Sequence, residues 1–327
     1  LRRHTPGAEH AAIATALPLV QGGPRRLVHG VLSTLFRTEA TLPEPSVPRA
    51  WADRWREAWG EAEVEAAGRR LGTIPPTDLC LKNPADTGQW MERLGATSLM
   101  PGHIRLNGSQ SVDTLAGYAD GDWWVQDIAA SLPARLLGDV AGMAVLDLCA
   151  APGGKTMQLA SMGARVTALD INASRLKRLR TNLQRTALQA DVVEADARQF
   201  DPGRQFDAIL LDAPCSATGT FGRHPDLLYL KERLDLAPLL KLQAELCARA
   251  AGWLKPGGRL VYAVCSLEPA EGEGASPPAG LLSDPVSDHE LPEGLASSSG
   301  GTVRTLPSLW GEAGGADGFF IARYRAP

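Results

Sequence analysis

From about residue 121 the chain alternates short apolar runs with longer segments of helical period, and no other feature limits its fold so tightly. Residues 145–149, 165–170, 191–194, 206–212 and 259–265 read as strands, with 318–323 returning as a last one. Residues 155–161, 173–187 and 236–254 read as helices between them. Val-, Ile- and Leu-rich runs bounded by turn residues suit strands buried on both faces. Strand–helix alternation joins such strands in parallel, with helices on both sides of the sheet. The predicted class is therefore α/β, and in such sheets ligands bind at the strands' carboxyl ends. Asp147, Asp170, Asp196, Asp212, Cys215 and Cys265 all fall there.

The first predicted turn is Asp147-Leu148-Cys149-Ala150-Ala151-Pro152-Gly153-Gly154-Lys155-Thr156. Gly154-Lys155-Thr156 matches the end of a nucleotide P-loop, but the first glycine of that motif is replaced by Cys149. The dinucleotide pattern G-x-G-x-x-G is absent as well. What remains is a loop over residues 149–155 whose amides approach a small charged ligand at a helix N-terminus. Asp170, 23 residues after Asp147, is placed to accept hydrogen bonds from ribose hydroxyls, and Asp196 to flank an adenine edge. S-adenosylmethionine carries a ribose, an adenine and an amino-acid tail, and meets all three positions. Taken singly, each aspartate would serve equally well as a helix cap or turn residue.

Five cysteines, an odd number without a C-x-x-C pair, favour a reduced cytoplasmic protein over a disulfide framework or a zinc site. Cys80, Cys247 and Cys149 read as small buried hydrophobes. Cys215 and Cys265 differ: each ends a strand and precedes serine, in Asp212-Ala213-Pro214-Cys215-Ser216 and Tyr262-Ala263-Val264-Cys265-Ser266. A thiolate in such a setting suits covalent catalysis. One reaction that needs it is methylation of cytosine carbon 5, where thiolate addition to carbon 6 makes carbon 5 nucleophilic. Asp212 is placed to meet cytosine N3, and Lys155 to orient the base or favour the thiolate.

The rest of the chain is less directive. Residues 1–38 read as helical, with Leu27, Val28, Val31, Leu32 and Leu35 on one face, and Pro43, Pro45 and Pro48 as a linker. Trp51, Trp55 and Trp59 follow helical spacing, which packing explains without base stacking. Residues 73–119 read as a small α+β unit with turns at Pro75-Pro76, Asn83-Pro84 and Asn107-Gly108. Residues 260–303 hold seven acidic side chains and no Lys or Arg, and the Gly-, Ser- and Pro-rich stretch 268–303 reads as a mobile loop. The net charge of −4 gives no support to a nucleic-acid partner, and the cations of Arg175-Leu176-Lys177-Arg178-Leu179-Arg180 fit a solvated helix face as well as a phosphate site. No run approaches the ~20 apolar residues of a membrane span, and no signal peptide is evident.

Four separated motifs, residues 147–156, residues 210–219 with Asp212-Ala213-Pro214-Cys215-Ser216-Ala217-Thr218-Gly219, His224-Pro225-Asp226, and residues 261–266, resemble the bacterial RNA (cytosine-5) methyltransferases of the RsmB/Sun family. The likeness covers residues 70–327, and Trp124-Val125-Gln126-Asp127 resembles the lead-in to that family's catalytic domain. It implies a Rossmann-like methyltransferase domain over 121–327 and a linker helix with a small α+β RNA-binding domain over 43–120. Residues 17–37 resemble the closing helix of a NusB-like RNA-binding domain, so 1–42 reads as its remnant, in keeping with a chain that opens on Leu1. The resemblance further implies Cys265 as nucleophile and Cys215 as the residue that assists adduct breakdown. It implies S-adenosylmethionine held by Cys149, Ala150, Ala151, Pro152, Gly153, Gly154, Lys155, Asp170, Asp196 and Asp212. The implied partner is RNA, foremost 16S rRNA, for a monomer without a membrane. A tRNA substrate and a non-catalytic ribosome-assembly factor stay open. Glu268-Pro269-Ala270-Glu271-Gly272-Glu273 departs from the family's Glu-Glu-Asn.

Overall fold

The computed structural model describes residues 9–20, 23–38, 44–108 and 111–327; the expectations for residues 1–8 and Pro43 lie outside these. Helices α1 (Glu9–Ala16) and α2 (Pro24–Arg37) come first. The predicted single helical stretch is interrupted at Leu17–Leu19, where Pro18 sits in a 3-10 turn. No residue of α2 is buried, and Leu27 and Val31 of its apolar face remain exposed.

Next come α3 (Arg49–Trp59), α4 (Glu61–Leu71), β1 (Thr77–Leu81), α5 (Thr87–Leu94), β2 (His103–Leu106) and β3 (Trp123–Val125). The three strands form one antiparallel sheet in the order β2-β1-β3. Inside it, Arg105 forks onto both oxygens of the buried Asp78, at 2.7 Å each. The small sheet thus runs past the boundary expected at residue 120, because Trp123 and Trp124 pair with Leu81 and Cys80 and bury their rings there.

The larger sheet is built from α6 (Ile128–Arg135), β4 (Ala144–Leu148), α7 (Gly154–Ser161), β5 (Arg165–Asp170), α8 (Ala173–Thr186), β6 (Asp191–Glu194) and β7 (Phe206–Asp212). It continues with α9 (Leu227–Leu230), α10 (Ala237–Gly252), β8 (Leu254–Val264), β9 (Leu282–Ser283), β10 (Val303–Thr305) and β11 (Phe319–Arg325). Its order is β10-β11-β8-β7-β4-β5-β6, with β9 on β11. Strands β4 to β8 are parallel, whereas β9, β10 and β11 add antiparallel pairs. Ile128, Leu132, Met157, Leu176 and Leu179 cover one face, and Leu246 and Ala250 of α10 the other. From β4 the chain winds outward in one direction through β5 and β6 and in the other through β7 and β8. That reversal opens a crevice at the strands' carboxyl ends.

The stretch 268–303, expected as a mobile loop, is instead laid against this sheet. Glu268, Glu271, Val286, Leu295 and Val303 are buried. Its acids meet arginines just outside the segment: Glu273 pairs with Arg304 at 2.6 Å, Asp284 with Arg259 at 3.1 Å, and Glu290 with Arg323 at 2.6 Å. Composition marked the segment as acidic and uncompensated because its counter-charges belong to the flanking strands.

Candidate active site

Just beyond β4 the backbone turns sharply, Cys149 taking a left-handed φ of 60°. Gly153, at φ 107°, caps α7, and a Cβ there would sit 2.8 Å from the Leu179 side chain of α8. Glycine is what lets the loop and two helices close together at this point. Asp170 anchors the loop rather than facing the crevice: its carboxylate accepts the Ala151 amide at 3.0 Å and the Asn172 amide at 2.9 Å. Asp196 is engaged by its own neighbour, accepting from Arg198 Nη2 at 2.6 Å.

Asp147 is fully buried. One oxygen accepts the Thr156 hydroxyl at 2.6 Å, and the other, Oδ1, has no partner among the described residues. Burial pushes its pKa up to about 7, against the pull of that hydrogen bond and of Lys155. A buried acceptor left unmatched is costly, and here it lines an open cleft of about 450 Å³. The same cleft is walled by Cys149, Ala150, Ala151, Pro152, Gly154, Lys155 and Asp212 from the predicted set. Gly153, Asp170 and Asp196 stand outside it. Gln126, Asp127 and Arg223 also line it. Gln126 and Asp127 lay within a noted motif, but Arg223 carried no sequence signal.

Lys155 Nζ donates to Asp212 Oδ2 at 2.8 Å. Burial works against the ammonium, but the charge and hydrogen bond of Asp212 outweigh it and the Lys155 pKa rises. Parallel pairing of β7 with β8, with Asp212 opposite Ala263, brings the two Cys-Ser ends together. The Cys215 and Cys265 sulfurs lie 3.4 Å apart. Their environments pull them in opposite directions. The hydrogen bond from Cys215 lowers the Cys265 pKa, overcoming burial and the repulsion of Asp212, with Lys155 assisting. That same bond, with burial, raises Cys215 well above the ordinary thiol value. The pair is thus biased toward Cys265 as the more acidic thiol, with Cys215 raised beside it. Burial pushes Cys80 and Cys247 up to about 12, and Cys149 higher still, which fits their reading as inert.

Helix α3 braces the loops behind the thiols. Trp51 Nε1 donates to the Leu228 carbonyl at 2.6 Å, Trp55 Nε1 to Glu268 Oε1 at 2.9 Å, and Trp59 Nε1 to the Leu267 carbonyl at 2.9 Å. Trp51 and Trp55 are each 1% exposed, so they pack, as their spacing suggested, and offer no stacking platform.

A family model described as 16S rRNA methyltransferase RsmB/F matches residues 134–325. A ribosomal RNA small subunit methyltransferase B of Klebsiella pneumoniae is 37% identical over 342 residues, covering 95% of this chain and 74% of that protein. Its namesake from Vibrio vulnificus is 49% identical over 288 residues, covering 80% and 67%. A methyltransferase homologue from Pyrococcus horikoshii superposes with a TM-score of 0.65 at 25% identity, over 91% of this chain and 99% of that one.

Proposed function

Since the chain belongs to the 16S rRNA methyltransferase RsmB/F family, with a Rossmann-like methyltransferase fold, we propose that it methylates carbon 5 of a cytosine in small-subunit rRNA through a covalent adduct on Cys265. The observation that carries the reading is the thiol pair, 3.4 Å between sulfurs, with Cys265 held low and Cys215 held high.

S-adenosylmethionine is the proposed methyl donor, and the cleft fits it on the ground of the unmatched Asp147 Oδ1. That oxygen would accept the amino group of the methionine tail, the loop 149–155 would enclose it, and Asp170 would take a ribose hydroxyl only by turning from the Asn172 amide that it accepts. Asp196 reaches an adenine edge by yielding part of its Arg198 pairing. Bound there, the donor supplies an electrophilic sulfonium methyl.

The protein's own groups account for the remaining steps. The Cys265 thiolate adds to carbon 6 of the unstacked base as Asp212 passes a proton from the Lys155 ammonium to N3, which leaves carbon 5 enamine-like; N3 returns that proton when the adduct breaks down. Carbon 5 then takes the methyl group. Once Cys265 sulfur is a thioether, it no longer receives the Cys215 hydrogen bond that chiefly raised Cys215. Cys215 then gives up its proton to solvent, its thiolate accepts the carbon-5 proton, and the Cys265 thiolate is expelled by elimination. The small sheet and residues 9–38 would hold RNA backbone and shape. The proposed setting is the cytoplasm, where thiols stay reduced; among the described residues no helix is long and apolar enough to cross a membrane.

The test is transfer of labelled methyl from S-adenosylmethionine to 16S rRNA, with 23S rRNA and tRNA alongside. Cys265→Ala should transfer nothing, and Cys215→Ala should accumulate a protein–RNA adduct on a denaturing gel. Wild-type turnover by Cys265→Ala would sink the mechanism, and label on tRNA alone would sink the substrate.

A further inference from the structure

Behind the two thiols lies a buried polar cluster that the reaction as written does not use. Ser216 and Ser266, each following a cysteine, are fully buried, as is Glu271. Both serine hydroxyls donate to Glu271 Oε2, that of Ser266 at 2.5 Å. The Ser216 amide, the one directly after Cys215, donates to Oε1 at 2.9 Å. Gln243 Nε2 reaches Oε1 at 2.9 Å, and the Tyr262 hydroxyl holds the Glu271 carbonyl at 2.9 Å. One carboxylate therefore grips both Cys-Ser turns; Gln243 of α10 holds that carboxylate in turn, and Tyr262 of β8 holds the Glu271 backbone. The serine hydroxyls also touch each other, 2.9 Å apart.

We propose that Glu271 is a positioning residue that sets the distance and orientation between Cys215 and Cys265. The inference rests on the thiol roles given above. No hydrogen bond joins Glu271 to either thiol; its charge reaches Cys215 through space, and its hold on the geometry passes through Ser216 and Ser266. Parallel pairing of β7 and β8 brings the two turns near each other, but pairing ends at Asp212 and Ala263. Beyond that point the Gly219 amide donates to the Cys265 carbonyl at 3.1 Å and the Leu267 amide to the Thr218 hydroxyl at 2.9 Å, and the shared carboxylate adds a grip on the residue directly after each cysteine. Four donors converge on it, so a group of the same shape that also carries donors cannot replace it without opening one side.

Two thiol readings test this directly, with methylation beside them. Diamide takes two electrons and two protons from a pair of thiols, becoming the hydrazine and leaving a Cys215–Cys265 disulfide, so its rate reports how the sulfurs approach. Iodoacetamide alkylation of Cys265 across pH reports its thiolate. In Glu271→Gln an amide NH₂ faces the serine donors. The expected result is disulfide closure and kcat each slowed about tenfold or more, the cost of a misplacement under 1 Å, with KM for RNA unchanged. The Cys265 alkylation midpoint should rise, since Cys215 no longer donates squarely to it. Glu271→Asp, which keeps the charge but withdraws it by one methylene, should fall between. A Glu271→Gln protein with the wild-type closure rate and alkylation midpoint would overturn the proposal. Should that variant not fold, Ser266→Ala cuts the Cys265 arm, together with the Ser266 contacts to Ser216, Thr218 and the Glu268 amide, while leaving the Ser216 arm on Glu271, and the same two readings decide with the same signs. Neither reading requires RNA. A wild type that methylates no rRNA would thus overturn the proposed function while leaving the role of Glu271 to be judged separately.

Discussion

Replacing Asp147 with Asn should stabilise the ligand-free protein at alkaline pH and weaken its hold on the methyl donor. Burial lifts this carboxyl from an ordinary 3.8 to about 7, which at about 1.4 kcal/mol per pH unit is worth about 4 kcal/mol. The sign follows from where the proton sits. Folding raises the pKa, so the folded state binds the proton more tightly than the unfolded chain. The stability is complete below pH about 4 and is lost as pH climbs through about 7. Asn cannot ionise and escapes that loss. Urea unfolding of both proteins at pH 5 and pH 8 should show the advantage of Asp147→Asn growing by about 2–3 kcal/mol between the two. Any pH-independent effect of the amide, on Thr156 for instance, cancels in that comparison. Calorimetry should then show weaker S-adenosylmethionine binding by the variant, and a smaller pH-dependent loss for wild type with ligand bound. An advantage of equal size at both pH values would refute the claim that Asp147 carries charge against its burial.

At pH 7 brief iodoacetamide treatment followed by mass spectrometry should label Cys265 ahead of the other four thiols, and Lys155→Met should shift its midpoint upward, since Asp212 would then repel the thiolate unopposed; first labelling at Cys215 would reverse the assigned roles. Arg323→Met removes the buried partner of Glu290 and Asp284 and should cost about 3–5 kcal/mol. Limited proteolysis of that variant should cut near residues 284–290, and a protein as resistant as wild type would show that the arginine does not secure the segment.

The parallel strands were legible in the sequence because each apolar run stops at a group that water or a ligand must satisfy. The bounds Arg165–Asp170, Asp191–Glu194 and Phe206–Asp212 follow that punctuation closely. β8 begins earlier than expected, at Leu254, since it runs through Pro256-Gly257-Gly258 with a register shift opposite residues 206–208, and such residues ordinarily read as a turn. β3 is three residues long, too short for periodicity to declare. Cys149 and Asp212 were visible because they close β4 and β7, and Lys155 because it follows the glycines that open α7. Glu271 was not, because its partners lie 55, 28 and 5 residues away, at Ser216, Gln243 and Ser266. An acid in a Gly- and Pro-rich stretch gives no local hint that two turns distant in sequence will meet on it. Asp196 is the converse case: its place at a strand end was informative, while nothing in the sequence signalled that Arg198, two residues on, would pair with it.

The three indole bonds from α3 bear on how this molecule can be taken apart. By chain order α3 precedes the small sheet, and a designer trimming the protein to a minimal catalytic module would cut near residue 120 and discard it. Mechanically, α3 belongs to the far side of the cut, for Trp51 and Trp55 cover Phe221, Leu228 and Leu267. The trimmed fragment would present those side chains to water and lose the supports at Leu228, Leu267 and Glu268. A workable module would have to keep residues 49–71 and carry the small sheet as an insert, an arrangement in which the order of parts along the chain is not the order of dependence among them.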